Sequence, residues 1–154
     1  MPIGVTEVTG IFMQFNLTSS GLDRFVDAQE PVYDAVIKEL TSGKKTSHWM
    51  WFVFPQLKGL GRSAIADHFG IESRAEAVAY WEHPVLGERL LVCTNLVLAH
   101  HDETAHDIFG IPDDLKFKSC MTLFARVVPS EPAFQRALER FFEGRSDEGT
   151  LNLL

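Results

Sequence analysis

Apolar residues recur at intervals of three and four along most of the chain, the spacing of one face of an α-helix. Leu22, Phe25, Val26, Gln29, Tyr33, Val36, Ile37 and Leu40 form the first such stripe, with Gln29 its polar member. Ser20 can cap its start and Asp23 suits its first turn. Pro31 removes a backbone donor and clashes with the preceding turn, which predicts a kink or two abutting helices, and Gly43 stops the second. The run from Trp49 to Phe54 is almost wholly apolar, so periodicity does not separate a helix over 48–54, capped by Thr46 or Ser47, from a buried strand. Pro55, Gly59 and Gly61 break the chain.

Ser63 starts a short helix to about Phe69, and "SRAE", residues 73–76, is a capping box for a helix to about Trp81. His83-Pro84 opens what should be the longest helix, through Leu86, Leu90, Leu91, Thr94, Val97 and Leu98. Asp102 or Thr104 can cap a short helix that ends at Gly110. Pro112, Asp113 and Asp114 start another, through Met121, Leu123, Phe124 and Val127, and Pro132 opens the last substantial helix, which Gly144 ends. The expected architecture is mainly α: about eight helices in a single compact domain over 20–154, behind an N-terminal extension over 1–19.

Length and composition agree with one globular domain, since 154 residues at 45% hydrophobic and 23% charged can bury a core. A net charge of −7 argues against nucleic-acid binding, where a basic face supplies most of the affinity, but leaves room for a small anionic ligand. Apolar runs are too short for a membrane span, and no basic residue precedes "GIFMQFNL" as a signal peptide requires. Cys93 and Cys120 are too few for a disulfide scaffold and lie in apolar helical settings, so a cytoplasmic location is expected.

Candidate chemistry gathers in a few places. Asp23, Asp27, Glu30 and Asp34 share one helix flank, and paired carboxylates can divide acid and base roles. Gln29 either caps a backbone gap made by Pro31 or faces a polar ligand. "GLGRS" lacks the lysine and spacing of a Walker loop, yet its turn offers backbone donors to an anion beside Arg62. Lys116 can add positive charge. His48 and Gln56 are polar ends of the aromatic run, and Trp49, Trp51 and Trp81 either fill the core or stack on a base. His100, His101 and His106 lack the spacing of a metal site, so neither a metal nor a cofactor is expected. Asp107 precedes "IFG", which should anchor its turn to the core.

The segments "FVDAQEPVYDAVIKEL", "KKTSHWMWFVFPQLKGLG", "EAVAYWEHPVLGERL", "DIFGIPDDLKFKSCMTLF" and "GTLNLL" resemble a bacterial and fungal family of unknown function often labelled "calpastatin". Calpastatin proper is disordered, whereas this composition is globular, so the label implies little. The order of motifs also resembles the NADAR superfamily, helical domains linked to ADP-ribose and related N-glycosides. In that likeness Asp23 stands for the acid of a Glu-His-aromatic-aromatic-Gln-Ala-x-Lys helix, shortened from Glu, and Ala28 falls on its Ala. Leu60, Gly61 and Arg62 match a Leu-Gly-Arg turn, and Asp107 falls on a family acid. Asp27 and Glu30 depart from that helix's Gln and Lys, and "SHWMWFVFPQ" has no counterpart.

The likeness implies a domain that hydrolyses or binds a nucleotide- or ADP-ribose-like N-glycoside. Asp23 and Asp107 would be catalytic. Gln29, His48, Trp49, Trp51, Gln56, Arg62, Trp81 and Lys116 would line the ligand pocket. The alternatives are a binding module without turnover and a protein-interaction module that exposes the Trp-rich segment.

Overall fold

A computed structural model describes residues 21–154 together with the backbone of two strands, β1 (Val5–Val8) and β2 (Ile11–Gln14), an antiparallel pair in which Val5 lies opposite Gln14. The rest of the expected N-terminal extension, with the Ser20 cap, lies outside the described residues. The strands are an element that the helical reading did not anticipate.

The remainder is helical, as the spacing predicts: α1 (Asp23–Gln29), α2 (Tyr33–Ser42), α3 (Met50–Val53), α4 (Ala64–His68), α5 (Arg74–Glu82), α6 (Leu86–Leu98), α7 (Ala105–Phe109), α8 (Asp113–Val127), α9 (Pro132–Phe142) and α10 (Glu148–Leu153). Pro31 falls between α1 and α2 and separates them. The longest of these helices is α8, at 15 residues against 13 for α6, which corrects the expectation placed on Pro84. The reach of α8 comes from its buried face, which includes Phe117, Cys120, Leu123 and Phe124. It packs on α5, α7, α9 and α10 and forms the spine of the domain.

The aromatic run resolves into a single short helix, α3, with Trp49 at its N-cap and no side-chain cap. Trp49, Met50, Phe52, Val53 and Phe54 are all buried. Phe54 meets Phe109 and Phe117 edge-on, at 5.8 and 5.1 Å between centroids, so the run docks on α7 and α8. Edge-to-face geometry is a favoured arrangement of aromatic pairs. Burial of Trp49 counts against the segment as an exposed partner patch.

Two glycines set close approaches. Gly43 ends α2 in the left-handed region, at φ 82°, where residues with a Cβ are rare. A Cβ on Gly87 would lie 1.9 Å from the Trp81 carbonyl oxygen, so α6 can start against the end of α5 only with glycine there.

Candidate functional site

The segment after Gly43 is held by a residue that the sequence did not single out. Glu39 Oε1 accepts from the Thr46 amide (2.8 Å), the Ser47 amide (3.0 Å) and the Trp49 indole N–H (2.9 Å), and its Oε2 accepts from the Ser47 hydroxyl. Burial alone would raise the Glu39 carboxyl. The bonds from the Ser47 hydroxyl, the Thr46 and Ser47 amides and the indole outweigh it and hold the group below its usual range. The Lys45 amide adds a tie, donating to the Ile108 carbonyl at 2.7 Å. Ser47 therefore spends its hydroxyl on Glu39 instead of capping α3.

This pinned loop faces the α7–α8 junction across two adjoining cavities of about 390 and 400 Å³ that share Lys45. The first is lined by Lys44, Lys45 and residues 106–110, His106 and Asp107 among them. The second is lined by His48, Trp51, Asp113 and Lys116 among others. Asp113, in the first turn of α8, sits between two ammonium groups: Lys45 Nζ is 2.8 Å from its Oδ2 and Lys116 Nζ is 3.7 Å from its Oδ1. Lys45 Nζ also lies 5.0 Å from the Trp49 ring centroid, and Lys116 Nζ lies 5.2 Å from that of Trp51, both within cation–π range.

His48, Trp51 and Lys116 thus converge, as the sequence reading expects, and Asp107 lines the neighbouring cavity. Asp107 completes a capping box with Thr104: its carboxylate accepts from the Thr104 amide at 2.9 Å, and its own amide donates to the Thr104 hydroxyl at 3.0 Å. The backbone bond, then the hydroxyl, keep this exposed carboxyl below its usual range.

The other expected residues lie elsewhere. Asp23 is exposed on α1 and lines neither cavity, so the two carboxylates do not meet across one pocket. Gln29 is sealed in the core, where its amide donates to the Phe52 carbonyl (2.7 Å) and the Tyr80 hydroxyl (3.1 Å) and accepts from Arg89 (3.3 Å). Its polar position is explained by a backbone gap, at Phe52 and not at Pro31. Trp49 is fully buried, and its N–H is spent on Glu39, so a core role replaces the expected stacking. Trp81 packs edge-on against Phe134, at 5.5 Å. Gln56 is half-buried beside Gly61, and Arg62 is exposed on the turn before α4; neither lines the paired cavities.

Glu39, Lys45 and Asp113 were missed. The Lys44-Lys45 pair ahead of the aromatic run was a signal for the second. Asp113 read only as a helix start.

A family model described as "Protein of unknown function (DUF1810)" matches residues 19–154. The chain belongs to the DUF1810 family. A crystal structure of the conserved hypothetical protein Rv1873 from Mycobacterium tuberculosis is similar to this DUF1810 chain, with 50% identity and a TM-score of 0.85 over 86% of this chain and 95% of that one. No curated protein matches it. Neither the calpastatin label nor the NADAR likeness is carried by these matches. No helix among the described residues of the DUF1810 chain is long and apolar enough to cross a membrane.

Proposed function

We propose that this DUF1810 domain binds a phosphate-bearing, nucleotide-like small molecule in the groove between residues 44–51 and 106–116. One observation carries the reading. A chain of net charge −7 collects Lys44, Lys45 and Lys116 around two adjoining cavities that hold only two carboxylates, Asp107 and Asp113, among their described lining residues, with His48 and His106 on the same walls. Local cations in a concave site attract an anion whatever the sign of the whole molecule. The combined space is within the usual range for small-ligand sites, and Trp51 supplies an apolar wall. Cys93 and Cys120 are buried, and neither is in a disulfide, which suits a cytoplasmic setting.

Thermal-shift titration with AMP and ADP-ribose tests the reading, because a ligand that binds only the folded state raises the melting temperature. Both should stabilise the protein, and Lys116→Ala should abolish the effect. No stabilisation of the unaltered chain at millimolar ligand overturns the proposal.

Turnover of an N-glycoside is a second reading, favoured by Asp107. A carboxylate held ionised beside the phosphate-binding cavity suits stabilisation of an oxocarbenium-like centre better than proton donation. Release of base from either ligand, lost in Asp107→Asn, would support it. Intact ligand after prolonged incubation would leave the site a binding site.

A further inference from the structure

We infer that Asp113 makes the groove selective for phosphate esters whose sugar carries vicinal hydroxyls. The inference rests on the binding reading above and specifies its ligand class. Among the described residues that line the cavity of about 400 Å³, Asp113 is the one carboxylate. Its side chain is 19% exposed, so solvent and ligand can reach it. Its two oxygens are unequally engaged. Oδ2 holds Lys45 at hydrogen-bond distance, 2.8 Å, whereas Oδ1 lies 3.7 Å from Lys116, an ion-pair distance that leaves acceptor capacity.

A carboxylate between two lysines has two effects on an incoming anion. It weakens the positive field and repels an oxyanion that comes close. It also accepts hydrogen bonds. A fully ionised oxyanion without a hydroxyl, such as sulfate, brings only negative oxygens and meets the repulsion. A sugar phosphate can place its phosphate on Lys116 and its hydroxyls on Asp113 Oδ1, so the same group that rejects the first ligand binds the second. Specificity of this kind comes from penalising the wrong ligand as much as from attracting the right one.

Calorimetric titration of AMP, 2′,3′-dideoxyadenosine 5′-monophosphate and sulfate into the unaltered protein tests the inference, followed by the same series on Asp113→Asn. The unaltered protein should prefer AMP over the dideoxy nucleotide by about tenfold, the size of one hydrogen bond to a charged group. Asp113→Asn should level the two nucleotides and bind sulfate more tightly than the unaltered protein. Equal binding of both nucleotides by the unaltered protein, or an undiminished preference in Asp113→Asn, overturns the inference and leaves the groove standing as an anion site. Binding of no nucleotide overturns the groove itself. The ligand series on the unaltered chain needs no variant, so a poorly folding Asp113→Asn does not spare the claim.

Discussion

Two cation–carboxylate pairs in this molecule are buried to nearly the same degree. Arg24 and Glu76 are 5% and 18% exposed at their side chains, and Lys45 and Asp113 are 8% and 19%. They do different things. Arg24 spends five hydrogen bonds: two on the Glu76 carboxylate, at 2.9 and 3.0 Å, and one each on the His68, Gly70 and Gly21 carbonyls. Its planar fork is saturated by protein, and the pair ties α1 to α5 and the segment before it. Lys45 and Asp113 instead look into cavities, with a second lysine at ion-pair distance. The depth of a charge therefore does not separate a pair saturated by protein from one that faces a cavity. What separates them is whether the hydrogen-bonding capacity is used up.

If that contrast is right, Arg24→Ala should be the most damaging of the following changes. It leaves Glu76 without its cation and removes the guanidinium bonds to the His68, Gly70 and Gly21 carbonyls, of which Gly21 keeps the residue-24 amide. Loss of one partner of a buried pair costs about 3–5 kcal/mol, measurable by chemical denaturation. A loss below about 1 kcal/mol would erase the distinction, since that is the value of an ordinary surface pair. Glu39→Gln comes next. The amide keeps one acceptor oxygen but puts an N–H₂ where donors converge, so a cost of about 1–3 kcal/mol is expected, together with weaker AMP binding as the loop of residues 44–49 loosens.

Acid titration sharpens the same point. Glu39 and Glu76 both sit below their usual range when folded; for Glu76, burial opposes the shift, and the Arg24 hydrogen bonds, the Glu72 amide and the Arg24 and Lys58 charges together outweigh it. A depressed carboxyl contributes stability above its unfolded pKa and loses it as pH falls through the folded value. Stability should therefore fall as pH drops below the ordinary glutamate range. Glu39→Gln should show a shallower fall over that window than the unaltered chain. An identical slope would mean that the four donors around Glu39 do not favour its charged form. The smallest stability effect belongs to Lys116→Ala, within about 1 kcal/mol because its partner Asp113 keeps Lys45. Its effect on nucleotide binding should nevertheless be the largest of the set.

The helices were readable because period and punctuation act locally. Pro31, Gly43, Ser73 and Thr104 all fall at or beside the boundaries they mark, and the Ser73 and Thr104 side chains accept cap bonds. The Glu76 carboxylate, however, takes the Glu72 amide and Arg24 and does not close the expected box on Ser73. The groove was only half readable. His48, Trp51, Lys116 and Asp107 stood out by residue type and do line the paired cavities. Arg62 and Trp81 stood out for the same reasons and lie apart, because the distance between a turn and a pocket is a tertiary fact. Glu39 was invisible for a different reason. A glutamate on a helix flank reads as a solvated charge until the loop after the helix folds back onto it. Gln29 shows the reverse: its polar place in an apolar stripe was a correct signal of a buried amide, and the backbone of Phe52 was its target.

The most direct test of the central claim is to map AMP onto the unaltered protein by backbone amide chemical shifts. Binding in the groove predicts that the largest changes fall in residues 44–51 and 106–116, saturate together at one affinity, and vanish in Lys116→Ala. Changes centred instead on the Gly59–Arg62 turn, or an unchanged spectrum at saturating nucleotide, would contradict it.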